Sequence, residues 1–217
     1  MSDKVYYPLF ADLQGRCCVV VGGGLVAQRK VTTLLRFGAR VTVVSPHATQ
    51  RLLRHAAKRT ITHIARRFRP TDLRGAWLVY AATDDHAINQ AVYRTATRAR
   101  ILTNVVDEPS LCSFIAPSIA KRGEVVIAVS TGGGSPTLAK QLRRDVEQTV
   151  GGHYAAMLRL LRSLRDAAKR RLPSYRDRKR YFRRLVEGRA FDLIRRGQPR
   201  AARHEALKLL QNGGALR

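Results

Sequence analysis

Between Cys17 and Ala27 the chain reads CCVVVGGGLVA, an apolar run that stops at three glycines and continues in a helical pattern. A buried strand that turns straight into a helix constrains the fold more than any other stretch, because so tight a turn leaves little room for side chains. Gly22, Gly24 and Ala27 give it the form G-x-G-x-x-A. Without a Cβ the backbone can approach an anion, and a helix N-terminus adds unsatisfied N–H donors and the positive end of its dipole. Gly22, Gly23, Gly24, Leu25 and Val26 are therefore candidates to cradle a dinucleotide. The competing reading is a glycine-rich connection that holds no ligand.

The neighbouring sequence supports the dinucleotide. Val31, Leu34, Leu35 and Phe37 keep helical spacing as far as Gly38, and Val41–Val44 follows as a buried parallel strand, which completes a βαβ unit. Such folds usually place an acid about 20 residues past the glycines to hold the ribose 2′-OH. This chain has Ser45, Pro46 and His47 there instead. Ser45 and His47 suit a ribose hydroxyl, whereas Arg51 and Arg54 suit a 2′-phosphate; NAD is the preferred reading.

Further on, helix is expected from Pro46 to about Ala57, strand over Thr60–Ile64, a turn at Pro70, and strand again over Trp77–Ala82. A helix follows over Ala87–Ala99, with Ile88, Ala91, Val92 and Ala96 on one face, then a strand over Ile101–Val106. This alternation indicates an α/β fold with a Rossmann-type doubly wound parallel sheet, whose ligand crevice lies at the C-terminal strand ends. Ser45, Thr83, Asp84, Asn104 and Asp107 fall at those ends. Asp85 reads as the cap of the next helix. Asp107 can act as a general acid or base if an apolar cofactor ring lies beside it. It can equally cap the Asp-Glu-Pro turn.

Beyond Pro109 two extended segments, Phe114–Ile119 and Glu124–Val129, read as a hairpin joined by residues 120–123. Thr131 and three glycines lead to Ser135 as N-cap and Pro136 as first helical residue, with helix to about Val150. Thr131, Gly132, Gly133 and Ser135 offer donors to a carboxylate or phosphate; a flexible, well-capped turn is the alternative. Breaks at Leu172–Ser174, Gly188 and Gly197–Pro199 divide the rest into three or four helices. The expected organisation is a Rossmann domain over 1–113, a small α+β segment over 114–150 and a basic helical domain over 151–217.

Composition narrows the function. Of 217 residues 45% are hydrophobic, enough for a core. No apolar run approaches the roughly 20 residues that cross a bilayer, and the N-terminus lacks a signal-peptide pattern, so a cytoplasmic protein without membrane association is expected. Cys17, Cys18 and Cys112 read as reduced thiols, and the six histidines lack metal-ligand spacing, so no dedicated metal site is expected. The 41 Lys and Arg against 15 Asp and Glu give +26, concentrated after residue 150. Such an excess steers a polyanion: nucleic acid, an anionic membrane surface, or a ligand rich in carboxylates or phosphates. Tyr175, Tyr181 and Phe182 beside Arg176–Arg180 are compatible with base stacking, but helix packing is the preferred reading.

Four ordered segments, YPLFADLQGRCCVVVGGGLVAQRK, AATDDHAINQAV, NVVDEPSLCSFIAPSI and AVSTGGGSPTLAKQLR, together resemble the precorrin-2 dehydrogenase and ferrochelatase module of siroheme synthases. The resemblance is strong over residues 6–145 and looser over the helical tail. It implies NAD-dependent oxidation of precorrin-2 to sirohydrochlorin, with Fe²⁺ insertion to siroheme in bifunctional members. It also implies a homodimer built partly from the segment after Phe114, which makes 114–150 a dimerisation segment. The family's cofactor turn matches Gly22 to Val26, and its ribose segment matches Ser45, Pro46 and His47. Its crevice lining matches Thr83, Asp84, Asn104 and Val105, and its active-site aspartate matches Asp107. Thr131 stands where some relatives have Ser. The fused synthases' uroporphyrinogen methyltransferase domain has no counterpart here, so a separate methyltransferase is expected to supply precorrin-2. A tetrapyrrole with eight carboxylates also fits the positive charge. The reading from another class is a non-catalytic NAD-binding regulator whose basic tail binds nucleic acid.

Overall fold

A computed structural model describes residues 4–212. It divides into two compact units, one running to Ala116 and including Gly132–Gly134, the other made of Pro117–Thr131 and the chain from Ser135 onward.

The first unit is a five-stranded parallel sheet in the order β3-β2-β1-β4-β5. Its elements are β1 (Cys17–Val21), α1 (Leu25–Arg36), β2 (Arg40–Val44), α2 (Gln50–Ala57), β3 (Thr62–Ile64), β4 (Leu78–Ala81), α3 (His86–Arg98) and β5 (Leu102–Val105). Strand β1 is central and apolar throughout because both of its faces are covered. Cys18 and Val20 enter one core cluster with Val31 and Leu34 of α1. Val19 and Val21 enter the other, with Val92 and Ala96 of α3, and Cys17 packs against that side. The adjacent cysteines thus point to opposite faces, and all three cysteines are free thiols. Burial pushes the Cys18 thiol up to about 11, so it stays protonated.

Helix α1 stops where expected. Gly38 takes a φ of +79° and donates to Leu35 O at 3.0 Å. Two boundaries differ from the sequence expectation. Helix α2 starts at Gln50, four residues later than Pro46, because Thr49 caps it by accepting from Leu52 N, and the preceding residues run as a loop over Gly23. Strand β3 is shorter than Thr60–Ile64, because Arg59 is left-handed at φ +54° and the Thr60 hydroxyl turns back to His55 O. Asp85 caps α3 as expected, accepting from Ile88 N at 3.1 Å.

In the second unit β6 (Ser118–Arg122) and β7 (Val125–Val129) form an antiparallel hairpin, with Arg122 opposite Val125. Its turn is Gly123–Glu124, shorter than the four-residue connection expected, and Gly123 supplies the positive φ of +59° that tight hairpins need. The first strand begins at Ser118 rather than Phe114. The Phe114 ring is instead packed edge-on against Tyr80 of the first unit, centroids 5.4 Å apart. Helix α4 (Pro136–Thr149) has Ser135 as its cap, and α5 (Gly152–Arg171), α6 (Tyr175–Glu187), α7 (Arg189–Arg195) and α8 (Pro199–Gln211) follow. Their shared core includes Leu160, Leu164, Tyr181, Leu185, Phe191 and Leu210. Tyr181 is 1% exposed and its hydroxyl donates to Ala206 O at 2.9 Å. Phe182 packs against the same core, which leaves Tyr175 exposed. Two of the three aromatics flanking the arginine run therefore hold helices together.

Candidate active site

Strand register sets the site. Val44, Val21, Ala81 and Val105 lie side by side across β2, β1, β4 and β5. The ladder extends one residue further, through Gly22 N to Val44 O, Ala82 N to Val21 O and Val106 N to Ala81 O, at 2.8–3.0 Å. The glycine turn, Ser45–His47, Thr83–Asp84 and Asn104–Asp107 therefore leave the sheet along one edge, the C-terminal edge where doubly wound sheets bind ligands.

The three glycines answer different demands. At Gly22, φ is +123° and a Cβ would lie 2.1 Å from Ala82 O. At Gly23 a Cβ would lie 1.8 Å from His47 O, and the Gly23 carbonyl accepts from Thr49 N at 2.9 Å. Both serve the protein's own backbone packing. Gly24 is exposed, has an ordinary φ of −79°, and a Cβ there would meet nothing within 4 Å. It is the N-cap of α1, no side chain caps it, and the first turn carries no acid. Open backbone at an uncapped helix start fits a dinucleotide pyrophosphate.

Beside this turn Ser45 is half-buried with its carbonyl 3.0 Å from His63 Nε2. Pro46 and His47 are exposed, as are Arg51 and Arg54 on α2. Thr83 and Asn89 brace each other: Thr83 Oγ1 lies 3.0 Å from Asn89 Oδ1, and the Asn89 amide donates to Thr83 O at 3.0 Å. Asp84 is exposed. Val105 and Asn104 are only 1% and 8% exposed. The Asn104 amide donates to Phe114 O at 3.0 Å, and Val105 N–H donates to the Cys112 sulfur at 3.3 Å, so both shape the loop that follows β5.

That loop holds Asp107. The Cys112 sulfur lies 3.2 Å from Val105 O and 3.3 Å from Glu108 O, while Glu108 pairs with His86 at 2.8 Å. Lys4 Nζ donates to Ser110 O at 2.6 Å and Cys112 O at 3.2 Å. Asp107 is exposed with φ +62°, a left-handed conformation that Asp tolerates better than most residues. Among the described residues no hydrogen bond engages its carboxylate, so it does not cap the turn. Lys30 of α1 reaches towards this region, its ammonium 4.9 Å from the Tyr80 ring centroid. Sequence reasoning missed Lys4, Lys30 and the bonding role of Cys112, because none belongs to a periodic pattern or spaced motif.

Thr131 and Ser135 belong to the second unit. Thr131 Oγ1 accepts from Ser135 N at 3.1 Å and Ser135 Oγ accepts from Leu138 N at 3.2 Å, so both hydroxyls serve the start of α4. Gly132 and Gly133 have φ of +64° and +90°. Among the described residues no three His, Cys, Asp or Glu side chains are grouped to hold a metal ion, and no helix is long and apolar enough to cross a membrane.

Comparison with known proteins extends this geometry. Residues 9–118 match the family described as "Putative NAD(P)-binding", residues 122–149 the sirohaem biosynthesis protein central region, and residues 153–210 the sirohaem synthase dimerisation region. The dimerisation description thus falls on the helical tail, not on 114–150. The siroheme synthase of Methylobacillus flagellatus is 41% identical over 209 residues, covering 96% of this chain and 45% of its own length. That of Thioalkalivibrio sulfidiphilus is 42% identical over 208 residues, covering 96% and 42%. The chain therefore spans less than half the length of these curated relatives. A solved structure described as SirC, precorrin-2 dehydrogenase, superposes with a TM-score of 0.76 at 26% identity, covering 94% of this chain and 100% of that one. With all three matched regions present in order, the chain belongs to the siroheme synthase family, as the N-terminal module formed by its NAD(P)-binding, central and dimerisation regions.

Proposed function

We propose that the chain oxidises precorrin-2 to sirohydrochlorin with NAD⁺ as a step of siroheme synthesis. The observation that carries this reading is the free, outward-held carboxylate of Asp107 on the same sheet edge as the open Gly24 turn. End-to-end similarity to a precorrin-2 dehydrogenase structure supports the substrate.

The oxidation removes one hydride and one proton from the macrocycle and extends its conjugation. Bound NAD⁺ supplies the hydride acceptor. The chain's own residues do the rest. The Gly24 backbone and the start of α1 would hold the pyrophosphate, and Ser45 and His47 would meet the ribose. Asp107 accepts the proton, from a loop whose other polar groups are tied to Cys112, Lys4 and His86. If Fe²⁺ enters the product here, the same carboxylate is placed to accept a displaced pyrrole proton. The dimerisation match supports a homodimer.

Anaerobic incubation with precorrin-2 and NAD⁺, following NADH and sirohydrochlorin absorption with NADP⁺ and Fe²⁺ arms in parallel, tests this reading. Turnover with NAD⁺ is expected. Asp107→Asn should lower it by about 10²–10⁴-fold, the usual worth of a positioned proton acceptor, with NAD⁺ affinity unchanged. Folded, NAD⁺-binding protein without turnover refutes the reading.

A further inference from the structure

We propose that Lys30 receives a peripheral carboxylate of the tetrapyrrole beside Asp107, which makes it a substrate-binding residue that no glycine or strand-end motif identifies. The inference rests on the function proposed above.

Lys30 lies six residues beyond Gly24 on α1. Helical side chains lean towards the helix N-terminus, so its long stem runs back towards the strand ends. The ammonium stands over the ring of Tyr80, which is 6% exposed, pairs in register with Asn104 of β5 and is fixed edge-on by Phe114. That aromatic face is its close partner; among the described residues Lys30 makes no hydrogen bond or ion pair. A partly buried ammonium without an anion is costly, and a ring face offsets only part of the cost.

Its surroundings select an anion. Burial and then the adjacent Arg29 charge push the Lys30 ammonium below its usual range, while Cys112 and Asp107 act in the opposite direction. The exposed Asp107 carboxylate leaves the ammonium unpaired, so an incoming carboxylate completes the arrangement. The cofactor pyrophosphate is the competing anion. It is matched to the open Gly24 backbone and the start of α1, and the NAD⁺ affinity of the variant below separates the two anions.

The test uses the full chain and sirohydrochlorin, the product, as a probe that needs no turnover. Lys30→Met keeps the stem and removes the charge. It should weaken sirohydrochlorin binding to cofactor-free protein about tenfold, and raise KM for precorrin-2 more than it lowers kcat. NAD⁺ affinity should hold, and Lys30→Arg should recover most of the loss. Equal sirohydrochlorin affinity in Lys30→Met and wild type overturns the proposal, as does a loss confined to NAD⁺. Should Lys30→Met melt early, the wild-type Lys30 Cε resonance decides: its titration must move upward on adding sirohydrochlorin, and a fixed titration overturns the proposal. Wild type that neither binds sirohydrochlorin nor oxidises precorrin-2 overturns the functional reading as well.

Discussion

Alanine at each of the three glycines should separate folding from cofactor binding. In Gly22→Ala the φ of +123° forces an L residue into a strained region, at about 1–3 kcal/mol. The Cβ also meets the Ala82 carbonyl, and relief by shifting backbone adds about 1–3 kcal/mol. Gly23→Ala lacks the φ strain but drives a Cβ into His47 O and disturbs the Thr49–Gly23 hydrogen bond, for about 2–4 kcal/mol in all. Gly24→Ala meets open space and only exchanges one N-cap residue for a poorer one, about 0.5–1 kcal/mol. At about 2–4 °C per kcal/mol for a chain of this size, Gly22→Ala should lose roughly 4–24 °C in Tm, Gly23→Ala roughly 4–16 °C, and the third under about 4 °C. Binding should run the other way. Gly24→Ala puts a methyl where the anion must approach and should weaken NADH binding at least about tenfold, read by nucleotide fluorescence on protein whose melt is near wild type. A stable Gly23→Ala would refute the close backbone approach, and full NADH affinity in Gly24→Ala would refute the anion site.

Two further outcomes test each unit by itself. Tyr181→Phe removes the buried hydroxyl that donates to Ala206 O, a carbonyl that also accepts within α8, and should cost about 0.5–1.5 kcal/mol in denaturant melts, whereas no change would show that the bond adds nothing to stability. In the first unit the Arg66 guanidinium, with help from Arg69 N–H, holds the Asp72 carboxyl below its ordinary 3.8. A carboxyl depressed by folding stabilises above its unfolded value and loses that contribution as pH falls through its folded one. Wild-type Tm should therefore drop more steeply than that of Asp72→Asn below about pH 4, the two converging in acid; parallel curves would remove Asp72 from the acid response.

Strand and helix placement along the chain were legible because each rests on local pattern. The alternating burial of β1 between two core clusters follows from five consecutive apolar residues, and Gly38, Asp85 and Ser135 terminate or cap helices through their own backbone or side chain. What failed depended on distant partners. The late start of α2 is imposed by the packing of residues 47–48 on Gly23, and Phe114 leaves the expected strand because Tyr80, far earlier in the chain, takes its ring. Asn89 belongs to no pattern in the sequence, yet it is 6% exposed with its amide donating to Thr83 O.

The site was legible in the same partial way. Type and position singled out Asp107, but a strand end followed by Asp-Glu-Pro cannot tell a proton acceptor from a turn cap. The difference lies in the bonds around it. Cys112, buried and with its thiol pushed up by that burial, accepts from the Val105 N–H that an aspartate could otherwise take and lies against the Glu108 carbonyl, and Lys4 takes the carbonyls beyond. A proton acceptor must be fixed in position yet unengaged. Here the loop is held by other side chains while the left-handed φ of +62° turns Asp107 outward. That geometry also dictates the variant that isolates the charge. Asn tolerates the left-handed region as Asp does, so Asp107→Asn removes the base and keeps the backbone, whereas Asp107→Ala adds the strain of a residue poorly suited to that φ. If the carboxylate is what matters, the two variants lose turnover alike and differ in Tm, Asp107→Ala melting lower. Should Asp107→Asn keep turnover while Asp107→Ala loses it, loop conformation rather than proton transfer is what residue 107 provides.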